Sequence, residues 1–204
     1  MGKLLRFNEA HYIHFVTSRT YQGIPYFNNV SNCLILLGII QEARRELGFK
    51  LSGYVIMPDH FHCLIEPDIK GVHSISYIMM RIKGYSARLI NLAEAKPSAK
   101  RTVDNNCFNN KRLGEGSASP YQKVWQKSFY DIQIYSEKFF EQKLNYIHNN
   151  PLRAGLVEDL KDYLWSSYQN YYINNHRLIK IDISDNLHYI SVYESIFLFA
   201  KRQR

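Results

Sequence analysis

The spacing of apolar residues changes several times along the chain, and each change predicts a structural element. Residues 12–20 (YIHFVTSRT) are rich in aromatic and β-branched residues, which predicts a first strand. Apolar residues then recur at helical spacing over residues 30–47 and are followed by Gly48, which predicts a buried helix with a glycine cap. Two short β-rich runs, 51–57 and 61–66, flank a Pro-Asp turn signal and predict a hairpin.

The middle of the chain predicts a second helix, a loop and a fourth strand. The helix is expected over residues 74–93. Its apolar stripe is formed by Ile75, Ile78, Ile82 and Leu89. Residues 94–122 are polar, rich in Asn, Ser, Gly, Lys and Pro, and without periodicity, which predicts a long mobile loop. Residues 124–135 regain β-rich character and predict the fourth strand.

A last amphipathic helix follows a serine cap and is expected to end near Asn149, because Pro151 disfavours helical angles at the residue before it. The resulting order matches a ferredoxin-like βαββαβ unit, an α+β fold with an antiparallel sheet and one additional C-terminal helix. We expect one domain over residues 1–172 and a C-terminal extension over residues 173–204, with a further helix near 192–201.

Composition narrows the classes of partner. The 204 residues include 26 Lys plus Arg against 18 Asp plus Glu, a net charge of +8, which favours a polyanion such as nucleic acid but also fits a merely basic protein. Cys33, Cys63 and Cys107 form no CxxC pair, which argues against a disulfide framework or a cysteine-built zinc site. The N-terminus lacks an apolar signal segment and no run of about 18 apolar residues occurs, so we expect a cytoplasmic protein without a membrane span.

The sequence His60-Phe61-His62 begins the third predicted strand. Because strand side chains alternate, both imidazoles should point to one face and Phe61 to the other, so the first face can bind a metal. A structural role for the two histidines is the alternative. Leu64 stands where histidine-triad hydrolases have a third histidine and binuclear metallohydrolases an aspartate, which counts against both classes.

The last predicted helix carries a second candidate group. Its buried stripe should contain Phe140, Leu144 and Ile147, which leaves Tyr146 off the stripe and Asn150 one turn further along on the same side. This pair supplies a phenol nucleophile and an amide oxygen that could complete a metal site with two histidines. The alternative is a surface tyrosine followed by a helix-ending Asn-Pro.

Four ordered segments together resemble the REP-associated tyrosine transposases, which belong to the superfamily of HUH single-strand endonucleases. They are residues 54–62 (YVIMPDHFH), 124–131 (VWQKSFYD), 146–151 (YIHNNP) and 165–168 (WSSY). The resemblance covers about residues 10–172, so that residues 1–172 would form a single-tyrosine HUH transposase domain. It implies that His60 and His62 bind a divalent metal, Mg²⁺ or Mn²⁺, that Asn150 is the third ligand and that Tyr146 is the nucleophile.

The expected function is that of a metal-dependent transposase. It would cleave and rejoin hairpin-forming single-stranded DNA through a 5′-phosphotyrosine intermediate, since a tyrosine hydroxyl with an ordinary pKa of about 10 needs an already polarised phosphate. The expected DNA-binding residues are Arg19, Tyr77, Arg81, Tyr85, Arg88 and Lys127. Both a monomer and a homodimer are compatible with the sequence.

Two other functions compete with this interpretation. One is a catalytically silent nucleic-acid-binding module derived from a transposase, against which the joint presence of both histidines, Tyr146 and Asn150 argues. The other is a zinc hydrolase, which would leave Tyr146 without a role and would lack an evident carboxylate base beside the histidines.

Overall fold

Four strands form one antiparallel sheet in the computed structural model, which describes residues 12–68, 72–94 and 122–182. The strands are β1 (Ile13–Arg19), β2 (Lys50–Met57), β3 (His60–Glu66) and β4 (Tyr130–Ile134). Their order across the sheet is β2-β3-β1-β4, and each neighbouring pair is antiparallel. The hairpin between β2 and β3 closes over the predicted two-residue turn, because Met57 pairs with His60.

Within the described residues, four α-helices accompany the sheet. They are α1 (Val30–Leu47), α2 (Ile75–Glu94), α3 (Glu137–Arg153) and α4 (Tyr168–Tyr172). Helix α1 ends as predicted, since Gly48 adopts a φ of 70° and donates its N–H to the carbonyl of Arg44. The observed order confirms the predicted α+β class and the ferredoxin-like βαββαβ arrangement with an additional helix. Within the described ranges, no helix has both the length and the apolar character that a membrane span requires.

The helices divide between the two faces of the sheet. Helices α1 and α2 pack on the face that carries Val16, Phe61 and Cys63, and together they form the larger buried core. Helix α3 packs on the opposite face, where Phe15, Val55, Met57 and Leu64 meet Phe140, Leu144 and Ile147. The alternation predicted for β3 is therefore confirmed, because Phe61 and Leu64 belong to different cores.

The predicted fourth strand was too long at its start. Strand β4 covers only Tyr130–Ile134, and Trp125 forms a single isolated bridge with Thr20. The aromatic side chains before β4 are buried for another reason: the ring of Trp125 packs 5.3 Å from those of Phe27 and Phe61. The aromatic residues of this buried loop were therefore mistaken for the aromatic residues of a strand.

The predicted end of helix α3 was also wrong. The helix continues through Pro151 to Arg153, and the N–H of Ala154 donates to the carbonyl of Asn150. Pro151 lies in the last turn, where its missing N–H removes one hydrogen bond, and its ring is buried. Packing of the helix end outweighs the local preference, so Asn150 is helical.

One member of the predicted stripe of α2 is misplaced. Ile75, Ile78 and Ile82 are buried, but Leu89 is 39% exposed and Ile90 takes the buried position in its place. A 3.6-residue period puts positions 82, 86 and 90 on one face, and the buried residue at 86 is a serine, which the apolar pattern could not reveal.

Several predictions fall partly or wholly outside the described residues. The loop predicted over 94–122 lies outside them except at its ends, where Glu94 closes α2 and Gln122 binds Asn91 through its backbone N–H. The helix near 192–201 also lies outside them. Of the proposed extension from residue 173, Ile179 and Ile181 are buried in the larger core.

Residues 165–168 pair with the free edge of β2. The N–H of Ile56 donates to the carbonyl of Trp165, and the N–H of Ser167 donates to that of Tyr54. In return, Ser167 Oγ accepts from the N–H of Tyr54 at 3.0 Å. The segment therefore extends the sheet by a short bridge and closes one of its two edges.

The same serine anchors helix α3 through His148. The ring nitrogen Nε2 of His148 lies 2.9 Å from Ser167 Oγ, and the ring is fully buried among three tyrosine rings. These belong to Tyr168, Tyr171 and Tyr172, with centroids 5.8, 5.3 and 5.7 Å away. Burial lowers the pKa of His148 to about 3, so the ring is neutral near pH 7.

The contact of α3 with β2 requires a glycine at position 53. A Cβ there would lie 2.9 Å from Leu144 Cδ1 and 3.4 Å from Leu64 Cδ1. We expect Gly53→Ala to lower the free energy of unfolding by about 1–3 kcal/mol, because the buried leucines must shift. Urea denaturation measures the change. The control Gly38→Ala, in α1 with no atom within 4 Å of the new Cβ, should raise stability by about 0.5–1 kcal/mol. Equal effects of both variants would contradict the close contact.

The buried neutral His148 predicts a loss of stability in acid. Its pKa is about 3 in the folded protein and about 6.5 when unfolded, so its contribution is complete above pH 6.5 and is lost as the pH falls toward 3. Between pH 7 and 4.5 the loss should be about 2–3 kcal/mol from this residue. Urea denaturation at both pH values should show a smaller acid loss in His148→Gln than in the wild type. An unchanged acid loss would mean that His148 does not carry it.

Candidate active site

Two histidines from β3 share the sheet face that α3 covers. His60 pairs with Arg19 and His62 with Thr17 across the β1–β3 ladder, and the two imidazole centroids lie 4.9 Å apart. Because the residues are two apart in a strand, both rings leave the sheet on the same side. The predicted pairing of these imidazoles is therefore present.

A carboxylate orients the first histidine. The ring N–H at Nδ1 of His60 donates to Asp59 Oδ1 at 2.6 Å, and Arg19 donates to the other oxygen of Asp59 at 2.9 Å. Although desolvation alone would raise it, the pKa of Asp59 is lowered by its hydrogen bonds to His60 and Arg19. No evident carboxylate base was expected beside the histidines, and Asp59, which had been assigned only to the turn, is the carboxylate that lies there. Both of its oxygens are engaged, however, so it acts as an orienting group.

The second histidine is held by Thr17. Its Nδ1 lies 2.7 Å from Thr17 Oγ1, whereas its Nε2 is buried and has no hydrogen-bond partner among the described residues. Burial, followed by the positive charges of nearby groups, lowers the pKa of His62 to about 3. The ring is therefore a neutral imidazole, the form that binds metal ions, with one nitrogen anchored and the other available.

Tyr146 extends from α3 over this pair. Its ring meets the ring of His62 edge-on at 5.3 Å and that of Phe15 at 5.9 Å, while Phe15 stacks on His62 at 5.3 Å. The tyrosine is 39% exposed, so its phenol lies against the histidines and is still open to solvent. Tyr146 and the two histidines belong to the same chain, so one chain brings the candidate nucleophile and the candidate ligands together.

Asn150 lies one helical turn beyond Tyr146 and is half-buried. No group of three His, Cys, Asp or Glu side chains that could hold a metal occurs in the parts of the chain that the structure describes. A metal at His60 and His62 would thus need a third donor of another type, and an amide oxygen is one. The unpartnered Nε2 of His62, anchored through its other nitrogen, fits such an ion.

A lysine near Tyr146 was missed by the sequence analysis. Lys143 precedes the tyrosine by one turn of α3, and its ammonium lies 4.9 Å from the ring centroid of Phe15 and 5.2 Å from that of Phe139. Its spacing in the sequence could have revealed it, because residues three apart on a helix are neighbours and Lys143 lies three residues before the candidate nucleophile. Thr17 was missed too, and only the register of β1 against β3 reveals it.

The predicted DNA-binding residues fall into two separate groups. The side chain of Arg19 is 59% exposed, and Arg19 pairs with His60 in the sheet. Lys127 is also exposed and lies near Arg19, because the N–H of its neighbour Gln126 donates to the Arg19 carbonyl. Tyr77, Arg81, Tyr85 and Arg88 lie on α2.

The stripe on α2 is therefore on the opposite side of the sheet from the histidines. Arg81 also forms an ion pair with Glu46 of α1 and lies 4.5 Å from the ring centroid of Tyr85. The helical spacing of these residues in the sequence could not show which face of the sheet the helix covers.

An exposed tyrosine occupies the histidine face instead. Tyr130 of β4 pairs with Thr17, which in turn pairs with His62, so the three residues form one row across the sheet. Adjacent strands are about 4.8 Å apart, which puts Tyr130 about 10 Å from His62 along the row. With 47% exposure, its ring offers a flat surface beside the site.

Comparison with known proteins agrees with this architecture. The sequence profile of the family described as "Transposase IS200 like" matches residues 8–114, just over half of the chain. That segment includes His60 and His62, whereas Tyr146 and Asn150 lie beyond it.

Two individual relatives support the same resemblance. A Haemophilus influenzae protein named as a REP-associated tyrosine transposase is 27% identical over 137 residues, which span 66% of this chain and 64% of that protein, less than two thirds of its length. A solved structure of a REP-associated tyrosine transposase bound to a REP hairpin superimposes with a TM-score of 0.65. It covers 92% of this chain and 93% of its own, at 18% identity, and confirms the fold. The resemblance seen in the sequence is confirmed, and the chain belongs to the family of IS200-like transposases.

Proposed function

We propose that this protein is a metal-dependent transposase that cleaves and rejoins single-stranded, hairpin-forming DNA through a covalent bond to Tyr146. The observation that carries the proposal is the contact of the Tyr146 ring with that of His62 at 5.3 Å, on a sheet face where a buried imidazole nitrogen lacks a partner among the described residues. A structural tyrosine in this place would not require two anchored histidines beneath it.

His60, His62 and Asn150 are the proposed ligands of a divalent ion, Mg²⁺ or Mn²⁺. When bound, such an ion polarises the scissile phosphate and offsets the charge on the departing oxygen. Asp59 and Thr17 hold the two imidazoles through Nδ1, so that each presents Nε2 to the same side. Imidazole suits borderline ions better than Mg²⁺, which favours Mn²⁺ as the probe in vitro.

The proposed reaction exchanges one ester of phosphate for another. The Oη of Tyr146 attacks phosphorus, its proton passes to solvent, the bond from phosphorus to the 3′ oxygen breaks, and that oxygen takes up a proton. The 5′ phosphate remains esterified to the tyrosine. Because the phosphodiester is conserved, attack by a free 3′ hydroxyl rejoins the strand and releases Tyr146 without a nucleotide cofactor.

The geometry favours a flexible single strand as substrate. The phosphate must enter between α3 and the sheet face that it covers, and duplex DNA, with a persistence length of about 50 nm, would have to be kinked or melted to do so. The exposed ring of Tyr130 lies on the same face, where an unpaired base can stack on it. A solved relative with this fold is bound to a REP hairpin, which supports hairpin DNA as the substrate class here.

Replacement of the nucleophile tests the proposal directly. Tyr146→Phe should abolish cleavage and the covalent adduct while DNA affinity stays within a few fold, because only the reacting oxygen is lost. Hairpin oligonucleotides labelled in turn at each end are incubated with the protein and Mn²⁺ and resolved on a denaturing gel. The adduct should carry the fragment with the 5′ phosphate.

Tyr130→Phe is the matched control, since it removes a phenol from the same face and should leave the adduct intact. The fully paired duplex of the same sequence should not be cut. An adduct formed by Tyr146→Phe would refute the nucleophile, and an adduct on the 3′ fragment would refute the mechanism. Tight hairpin binding by the wild type without any adduct would instead identify a silent binding module.

The metal site makes a separate prediction. His60→Ala, His62→Ala or a chelator should abolish cleavage, and chelation should change the melting temperature little, because the ion is not part of the core. Asp59→Asn should lower the affinity for Mn²⁺ by about 10–100-fold, since it loosens His60. Isothermal titration calorimetry with Mn²⁺ measures the affinity, and Glu66→Gln, at the far end of β3, is the control. A large fall in melting temperature on chelation would indicate a structural metal instead.

A further inference from the structure

We propose that Lys143 is a further catalytic residue, whose ammonium donates hydrogen bonds to a non-bridging oxygen of the scissile phosphate. The inference rests on the proposed function, because it concerns the same reaction. Lys143 belongs to none of the sequence segments that carry the family resemblance, and it is the residue at this face whose charge the site otherwise leaves unused.

The position of Lys143 follows from the helix and the rings beneath it. Residues three apart on an α-helix are neighbours, with about 5–6 Å between their Cβ atoms, so Lys143 and Tyr146 lie side by side on α3. The Lys143 ammonium lies 4.9 Å from the ring centroid of Phe15, and that ring also contacts His62 and Tyr146. The lysine, the histidine and the tyrosine therefore all contact the ring of Phe15.

Lys143 also retains its donors. Among the described residues it forms no ion pair, whereas the other cation at the site, Arg19, is paired with Asp59. The two aromatic rings that it touches attract the cation but take up none of its three N–H donors in a charge-assisted bond. A half-buried ammonium without a carboxylate partner is suited to an incoming phosphate.

The positive charge of Lys143 acts on His62. Its charge is one of the causes that lower the pKa of His62, after burial and the neighbouring His60. A phosphate placed between Tyr146 and His62 would lie within the same field. The lysine thus complements a metal ion that His60, His62 and Asn150 would hold, because both would bring positive charge to the phosphate.

The role of the ammonium is electrostatic, and no proton transfer from Lys143 is needed. As the Oη of Tyr146 bonds to phosphorus and the bond to the 3′ oxygen lengthens, negative charge grows on the non-bridging oxygens. A donor fixed on the nucleophile's own helix stabilises that charge without reorganisation. Loss of one such donor in a water-poor site lowers the rate by about 10²–10³ in other enzymes, so at least a tenfold loss is expected here.

A double-mutant cycle between the protein and its DNA tests the contact. In a Tyr146→Phe background, which cannot cleave, the dissociation constant is measured for a hairpin with its natural scissile phosphate and for the same hairpin with an uncharged methylphosphonate there. Lys143→Met should weaken binding of the natural DNA by about tenfold and change binding of the methylphosphonate DNA by less than twofold. Lys138→Met, an exposed lysine on the same helix, should affect both DNAs equally.

Single-turnover cleavage with Tyr146 intact provides the second readout. At saturating DNA, Lys143→Met should be at least tenfold slower than the wild type, Lys143→Arg should keep most of the rate, and Lys138→Met should be unchanged. Equal weakening of both DNAs by Lys143→Met, or a rate equal to that of Lys138→Met, would overturn this inference while the adduct still supports the proposed function. Absence of any adduct in the wild type would overturn both.

Discussion

Helix α3 lies so close to strand β2 that a Cβ at position 53 would force Leu144 to shift, and the placement of the proposed reactive groups depends on this contact. The Cδ1 atom of Leu144 would lie 2.9 Å from such a Cβ. Lys143 and Tyr146, one residue before and two residues after Leu144, lie on the same helix and contact the ring of Phe15 on β1. The histidines come from the sheet and the phenol from the helix, so the interface between these two layers sets their separation.

Much of the fold could be predicted from the sequence, because the sheet and helices follow the local periodicity of apolar residues. The strand-helix order and the common face of His60 and His62 were evident without a structure. The errors arose where packing outweighs local preference. The helical turn at Asn150 and Pro151 persists because the helix end is buried, and Trp125 is buried as a loop residue in the core.

The sequence predicted which side chains the proposed site brings together, but it did not predict the groups that hold them. Tyr146 and the two histidines belong to short motifs, whereas Thr17 meets His62 only through the register of β1 and β3. Asp59 was visible beside His60 but was explained by the turn alone. The position of the Tyr and Arg stripe on α2 relative to the histidines was not predictable, since a helical period gives the angular position of a side chain and not the layer to which its helix belongs.

Residues 165–168, which bridge to β2, are synthesised after all four strands and helix α3. Strand β2 is complete by residue 57, but its outer edge is closed only by a segment more than a hundred positions later, and Ser167 of that segment also holds His148 on α3. During synthesis the histidine strand and the tyrosine helix therefore both emerge before the residue that ties the helix to the sheet. A ribosome-bound chain from which Ser167 has not yet emerged therefore already contains every proposed reactive group but lacks this tie between helix and sheet.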